Sequence, residues 1–120
     1  MQKTTSAEVT MATLGEGFAV KEIVGCDGVL RSKASSLAYF ELQPEHAFAA
    51  HFHRYSHEIY LCVSGRAQLV VNGDPIDLTA GDVVLLEPND DHTGRAVGGE
   101  PFVYWAITTP AYHIDDHIAS

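Results

Sequence analysis

The sequence predicts an all-β protein that forms a sandwich or a barrel. Apolar and polar residues alternate with a period of two in LAYFELQP (37–44), as they do on a strand with one buried face. Similar short runs recur about every 8 to 12 residues, and each run is bounded by Gly, Pro, Asn or Asp. The one helix-like stretch, IDDHIAS (114–120), is too short to predict a stable helix.

Turn-forming residues set the limits of each predicted strand. The run Gly25–Gly28 separates the first two strands, and Pro44 ends the third. Asn72 and Gly73 predict a tight hairpin, because both residue types accept the positive φ that such a turn requires. In chain order the predicted strands are FAVKEIVG, VLRSKA, LAYFELQP, EIYLCVSG, AQLVVNGD, PIDLTAGD, DVVLLEPN, HTGRAVGG and PFVYWAITTP.

The chain divides into three expected segments. Residues 1–17 are small and polar, so they predict a flexible or dimer-stabilised N-terminal arm. Residues 18–112 contain the strands of the barrel, and residues 113–120 are expected to form a C-terminal tail. At 120 residues the chain is large enough to bury one core and too small for a second folded domain.

Composition excludes several classes of partner. With 7 Lys and Arg against 16 Asp and Glu, a net charge of −9, the chain lacks the basic surface that nucleic acids and anionic membranes require. Cys26 and Cys62 show no paired spacing, which argues against a disulfide framework or a zinc knuckle. The N-terminal segment lacks the apolar core of a signal peptide, and no apolar run reaches roughly 18 residues. We therefore expect a cytoplasmic protein.

Three histidines and one glutamate form a candidate metal site. His51 and His53 are two residues apart, so on a strand they project from the same face. Glu58 opens the next strand, where the neighbouring His57 points to the opposite side. His92 follows a turn that is distant in sequence. Three neutral imidazoles and one carboxylate suit one divalent transition metal (Mn, Fe, Ni, Co or Zn) and leave open positions for a substrate oxygen or dioxygen.

At these residues the chain resembles the cupin superfamily, whose first motif is GX5HXHX3–4EX6G. His51, His53, Glu58 and Gly65 match it. The second motif is GX5PXGX2HX3N, of which Gly81 and His92 match at the right separation. The resemblance covers roughly residues 37 to 109.

The sequence differs from the two motifs at four positions, and none of them is a candidate ligand. Glu45 and Asn89 stand where the family has Gly, Glu87 where it has Pro, and Ala96 where it has Asn. Because Asn tolerates the left-handed conformation, Asn89 is expected to make the same turn.

The resemblance implies a double-stranded β-helix, or jelly-roll, cupin barrel and a metal-dependent protein that binds a small molecule. Cupins include dioxygenases, lyases and sugar isomerases, so it implies a metalloenzyme in which Tyr60, on the Glu58 face, is a candidate catalytic residue. The alternative is a non-catalytic sensor, because EIYLCVSGRAQLVVNG also resembles the ligand-binding domain of arabinose-type regulators. Small cupins form homodimers, and one is expected here.

The other reactive side chains have less support. His46, His57, His113 and His117 are expected on the surface. Cys62 shares the Glu58 face and is expected to line the pocket as a small apolar group. TTPAYHIDDH resembles the tail of cupins labelled sugar-phosphate isomerase-like, but phosphate-binding candidates are few: Arg54, Arg66 and Arg95.

Overall fold

The computed structural model describes residues 1–120 and confirms the all-β prediction. Twelve strands are joined by turns, and the helical residues are two 3₁₀ turns at Ser6–Glu8 and Ile114–Asp116. Neither is long or apolar enough to cross a membrane. The strands are β1 Ala12–Gly15, β2 Phe18–Gly25, β3 Leu30–Arg31, β4 Ser36–Leu42, β5 Ala47–Phe52, β6 His57–Ser64, β7 Arg66–Val71, β8 Asp74–Leu78, β9 Val83–Leu86, β10 His92–Val97, β11 Phe102–Thr109 and β12 Ile118–Ala119.

The strands form two sheets that enclose one core. The larger sheet has the order β1-β2-β4-β11-β6-β9, with β3 paired to β2, and the smaller has the order β12-β5-β10-β7-β8. Apart from the parallel β2–β3 pair, the neighbouring strands are antiparallel. Leu42 and Tyr104 of the larger sheet and Leu69 of the smaller one belong to a single buried cluster. Burial of these apolar side chains is the main force that holds the sheets together.

Alternation along β6 sets which residues face this interior. Glu58, Tyr60 and Cys62 are buried, whereas His57 and Leu61 are exposed. The period of two predicted from the sequence is therefore confirmed on the strand that carries the candidate carboxylate.

Two asparagines adopt the conformation expected of them. Asn72 has a φ of 50° in the hairpin between β7 and β8, and Asn89 has a φ of 71° in the turn before β10. Glu45, which stands where the cupin motif has glycine, also lies in the left-handed region, with a φ of 66°. The departures from the motif thus keep the backbone path of these turns.

Strands β1, β5 and β12 have no counterpart among the predicted runs, although the spacing of His51 and His53 already indicated a strand where β5 lies. All four residues of β1 are exposed, so the strand has no buried face that alternation could reveal. Strand β12 has two residues and is held by pairing Ala119 with His51 of β5. Within the segments expected to be an arm and a tail, these residues therefore pair with the barrel.

Candidate metal centre

The three predicted histidines meet at one end of the smaller sheet. His51 on β5 lies directly opposite His92 on β10 in the strand register, and His53 follows the end of β5. One nitrogen from each of the three rings lies within 4.8 Å of the others. The larger sheet supplies the carboxylate: Glu58 Oε1 lies 3.6 Å from His53 Nε2 and 3.4 Å from His92 Nε2. The structure thus brings together all four residues that the motif singles out.

Main-chain carbonyls fix the orientation of each imidazole. His51 Nδ1 donates a hydrogen bond of 2.8 Å to Ala49 O, and His53 Nδ1 donates one of 2.8 Å to Asp116 O. His92 Nδ1 donates one of 2.9 Å to Asp90 O. Because a carbonyl only accepts, Nδ1 must carry the proton in each ring. The lone pair of a neutral ring is then on Nε2, which is the arrangement of a metal-ligating histidine.

Three polar atoms at the centre are buried without any hydrogen-bond partner. They are His53 Nε2, His92 Nε2 and Glu58 Oε1. Leaving such atoms unpaired is costly, and the acceptors that surround the gap would all be satisfied by one cation. The donor set of imidazole nitrogen and carboxylate oxygen is one that first-row transition metals accept. The residues present therefore fit a divalent metal ion.

Burial and mutual contact shift the pKa values of these groups in different directions. Burial lowers the pKa of His51 to about 4, so this ring is neutral at physiological pH. Burial by itself would raise the pKa of Glu58, but the close approach of the His53 and His92 rings outweighs it and lowers the value to about 2. Burial also opposes protonation of His53, yet contact with Glu58 raises its pKa. The carboxylate is therefore ionised at neutral pH.

Tyr60 lies deeper in the barrel, beside the centre. Its side chain is 4% exposed, and its ring centroid lies 6.1 Å from that of His92. Burial and the charge of Glu58 raise its pKa well above the usual value of 10. The hydroxyl therefore stays protonated and can donate a hydrogen bond.

Two residues from the C-terminal part of the chain contact the candidate ligands or their backbone, and no sequence pattern pointed to them. Thr108 Oγ1 donates a hydrogen bond to Glu58 Oε2 at 3.4 Å. The Asp116 carboxylate accepts hydrogen bonds from the main-chain N–H groups of Arg54, Tyr55 and Ser56, which form the turn after His53. Such contacts depend on strand pairing and chain reversal, which single-residue patterns do not encode.

The expectation that His117 is a surface residue is wrong. Its ring stacks on His51 with the centroids 4.1 Å apart and the planes 8° apart, and its Nδ1 lies 3.1 Å from the hydroxyl of Tyr112. His57 and His113 are exposed as expected, and His46 is half-buried. His117 becomes part of the centre because the last strand, β12, folds back onto β5.

A cavity of about 340 Å³ opens from the candidate metal centre towards the barrel mouth. Its floor includes His51, His53 and Glu58, and its walls are largely apolar and aromatic. Tyr60 also lines it, whereas Cys62 does not, so the expected role of Cys62 in the pocket wall is wrong. Cys62 packs in the buried core instead. The phosphate-binding candidates Arg54, Arg66 and Arg95 also lie outside the cavity.

Comparisons with known proteins agree with this architecture. Residues 38–108 match a family model described as a cupin domain, which is more than half of the chain. No curated protein matches the sequence.

Three solved structures show the extent of the structural likeness. KdgF from Halomonas has 14% identity and a TM-score of 0.79, over 92% of this chain and 94% of the other. A predicted oxalate decarboxylase from Thermotoga maritima has 20% identity and a TM-score of 0.80, over 91% and 99%. Streptomyces PAC13 with uridine has 16% identity and a TM-score of 0.81, over 100% and 91%. These likenesses establish the double-stranded β-helix fold.

Proposed function

The chain belongs to the cupin family, and on that premise we propose that it is a metal-dependent enzyme acting on a small molecule. His51, His53, Glu58 and His92 would hold one divalent transition metal (Mn, Fe, Ni, Co or Zn). The observation that carries the proposal is the convergence of the unpaired His53 Nε2, His92 Nε2 and Glu58 Oε1 beside a cavity of small-molecule size.

A bound metal would supply Lewis acidity, or a site for dioxygen, at the cavity floor. The chain's own residues prepare this floor. Carbonyl acceptors hold the three rings so that Nε2 faces the centre, and the apolar walls keep bulk water away from it. Tyr60 is the proposed catalytic residue, because its protonated hydroxyl lies beside Glu58 and can donate a proton or a hydrogen bond to a substrate.

Among dioxygenase, lyase and sugar isomerase reactions, we favour a lyase. Two solved structures with this fold are named for lyase-type reactions, a nucleoside dehydratase and a predicted oxalate decarboxylase. The arginines lie where they could not bind a phosphate in the cavity, which argues against an isomerase that acts on sugar phosphates. Arg95 pairs with Glu45 at 3.2 Å on the surface, and neither Arg54 nor Arg66 lines the cavity.

We further propose that the protein is a homodimer that packs through the outer face of the larger sheet. This face carries apolar side chains on three neighbouring strands, with Val83 64%, Leu85 57%, Val63 44%, Leu61 40% and Ile107 37% exposed. Exposed apolar surface of this kind is typical of an interface. A second copy is the proposed partner, because this apolar patch lets two chains of net charge −9 pack without bringing like charges together.

The cytoplasm is the proposed location. Both cysteines are free thiols, and Cys62 is buried in the core. Thiols without disulfides are typical of proteins in reducing compartments.

Metal content and substrate turnover test the proposed function together. Protein purified without a metal-affinity tag or chelator is expected to contain one transition metal per chain by elemental analysis. Metal removed by chelation and then restored is expected to raise the melting temperature, and Glu58→Gln is expected to abolish the gain. Turnover of a small-molecule panel that Glu58→Gln abolishes would support the enzyme. Saturable binding that persists without metal and without turnover would instead support the sensor.

A further inference from the structure

Beyond the histidines at its floor, the cavity contains no basic side chain that could neutralise an anion. None of the residues that line it is Lys or Arg, and the charged side chains near its mouth are the carboxylates of Glu22 and Asp27. Asp27 has a weak contact, 4.0 Å long, with the exposed Arg31, whereas Glu22 takes part in no salt bridge. Moving an anionic group into such a site would cost desolvation and repulsion without a compensating partner.

Aromatic rings line part of the cavity wall, and neighbouring rings are nearly parallel to each other. The rings of Phe18 and Phe40 are 5.3 Å apart at 15°, and those of Phe40 and Tyr104 are 5.1 Å apart at 11°. Phe48 extends this row, with its ring 5.7 Å from that of Phe18. These rings stack on one another, so a flat ring entering the cavity would lie along the row and contact the ring edges, an arrangement that aromatic pairs favour.

Apolar side chains from both terminal segments also stand at the mouth. Leu14 on β1 is 53% exposed and Ile114 is 67% exposed, and both line the cavity. A ligand that fills the cavity would remove apolar surface of these residues from water, and this burial favours an apolar occupant. The volume of about 340 Å³ lies at the small end of the range for ligand sites, which limits the occupant to one or two rings.

We propose that the cavity binds a planar aromatic molecule of one or two rings that carries one oxygen donor and no additional anionic group. The oxygen would lie at the floor beside His51, His53 and Glu58, with the ring along Phe18 and Phe40. This inference rests on the proposed function for the placement of the oxygen. The preference for a ligand without an anionic group at the end away from the floor rests only on the side chains that line the cavity.

Matched naphthalene probes separate these features. The probes are 2-naphthol, 6-hydroxynaphthalene-2-sulfonate, which adds a permanent anion at the far end, and decahydro-2-naphthol, which has the same skeleton without planarity. Their affinities are measured by isothermal titration calorimetry on metal-free protein and on protein with added Zn²⁺. In both forms 2-naphthol is expected to bind at least about tenfold more tightly than the sulfonate, because the anion finds no partner. It is also expected to bind more tightly than the saturated alcohol.

Two variants tie the binding to the cavity. Ala38→Phe places a ring inside the cavity and is expected to abolish 2-naphthol binding, whereas Ala47→Phe, at an exposed strand position outside it, is expected to leave binding unchanged. Glu22→Lys at the mouth is expected to bring the affinity for the sulfonate up to within a few-fold of that for 2-naphthol, because the added ammonium pairs with the anion. Glu100→Lys, on an exposed turn outside the cavity, is the charge control. Circular dichroism and Zn²⁺ titration verify that each variant is folded.

The outcomes distinguish the inference from the proposed function. Equal or tighter binding of the sulfonate to the wild-type protein would overturn the inference, whether or not the metal binds. Tighter 2-naphthol binding on addition of Zn²⁺ would support the placement of the oxygen at the floor, and an unchanged affinity in zinc-loaded protein would overturn that placement. Absence of binding of all five metals (Mn, Fe, Ni, Co and Zn) would overturn the proposed function, while selective 2-naphthol binding to the same protein would still support the cavity's preference.

Discussion

Asp116 holds His53 in place across 63 residues of sequence: the main-chain oxygen of Asp116 accepts a hydrogen bond of 2.8 Å from His53 Nδ1. The carboxylate of the same residue accepts main-chain hydrogen bonds from the turn that follows His53, at 2.8 Å from Arg54 and at 3.2 Å from Ser56. One residue of the C-terminal segment therefore fixes both the ring and the backbone that carries it. Fixing a ligand from outside the metal sphere is a common way to raise metal affinity.

Replacing Asp116 by alanine is expected to weaken metal binding without removing a ligand. The turn at residues 54–56 loses the carboxylate that accepts its main-chain hydrogen bonds. The main-chain oxygen that accepts from His53 remains, but the backbone that carries His53 is less firmly held, so the affinity for Zn²⁺ should fall by about tenfold. Competition with a chromophoric chelator measures the change. Asp115→Ala is the control, because the Asp115 side chain is 88% exposed. Equal affinities of the two variants would show that Asp116 does not support His53.

Asp116 should also contribute to the acid sensitivity of the fold. Burial opposes its ionisation, but the hydrogen bonds from Arg54, Ser56 and Tyr55 outweigh burial and lower its pKa below the ordinary value of 3.8. A lowered carboxyl pKa gives stability that is present above 3.8 and is lost as the pH falls through the folded-state value. Urea unfolding should therefore show the wild-type protein more stable than Asp116→Asn at pH 6, with the difference shrinking towards pH 2. A difference that stays constant over this range would contradict the assignment.

Replacement of His92 and replacement of His57 by alanine should have different effects on metal affinity. His92→Ala removes a ring whose Nε2 faces the centre and is expected to lower metal affinity by more than about a hundredfold. His57→Ala removes an exposed ring from the other face of β6 and is expected to leave the affinity unchanged. Metal titration followed by thermal unfolding compares them at equal protein concentration. A larger loss for His57→Ala would mean that the four proposed ligands are not the binding set.

The two motif glycines should differ in their tolerance of alanine. Gly65 has a φ of 75°, and an added Cβ would overlap the main-chain oxygen of Pro101, so Gly65→Ala is expected to cost about 3 kcal/mol or more. Gly81 has a φ of 91° with open space around the Cβ position, so Gly81→Ala carries the conformational strain alone, about 1 kcal/mol. Chemical denaturation at pH 7 gives both values. Comparable costs would indicate that the β6–β7 turn relaxes.

Charge on the outer face should dissociate the proposed dimer. The double substitution Val83→Lys and Leu85→Lys places two cations on the uncharged face and is expected to convert a dimer to a monomer in light scattering. Ile76→Lys is the control, since Ile76 is 41% exposed on the other sheet. A monomeric wild-type protein, or a variant that stays dimeric, would refute this interface.

Local sequence patterns were sufficient to predict many of the strands and turns of the fold. Alternation along β6 placed Glu58 and Tyr60 inside and His57 outside, because a strand turns successive side chains to opposite faces. Turn residues such as Asn72 and Asn89 marked the reversals, because few residue types accept a positive φ. The exposed strand β1 left no such pattern and was not predicted.

The sequence by itself determined the all-β class and the four candidate ligands, because residue type, spacing and strand parity are local properties. The tertiary structure decided that these ligands converge, that His117 stacks on His51, and that Asp116 holds His53. It also decided that every Arg and Lys lies outside the cavity. These relationships join residues that are far apart in the chain, and they exist only once the pairing of β12 with β5 and the packing of the two sheets bring those residues within contact distance.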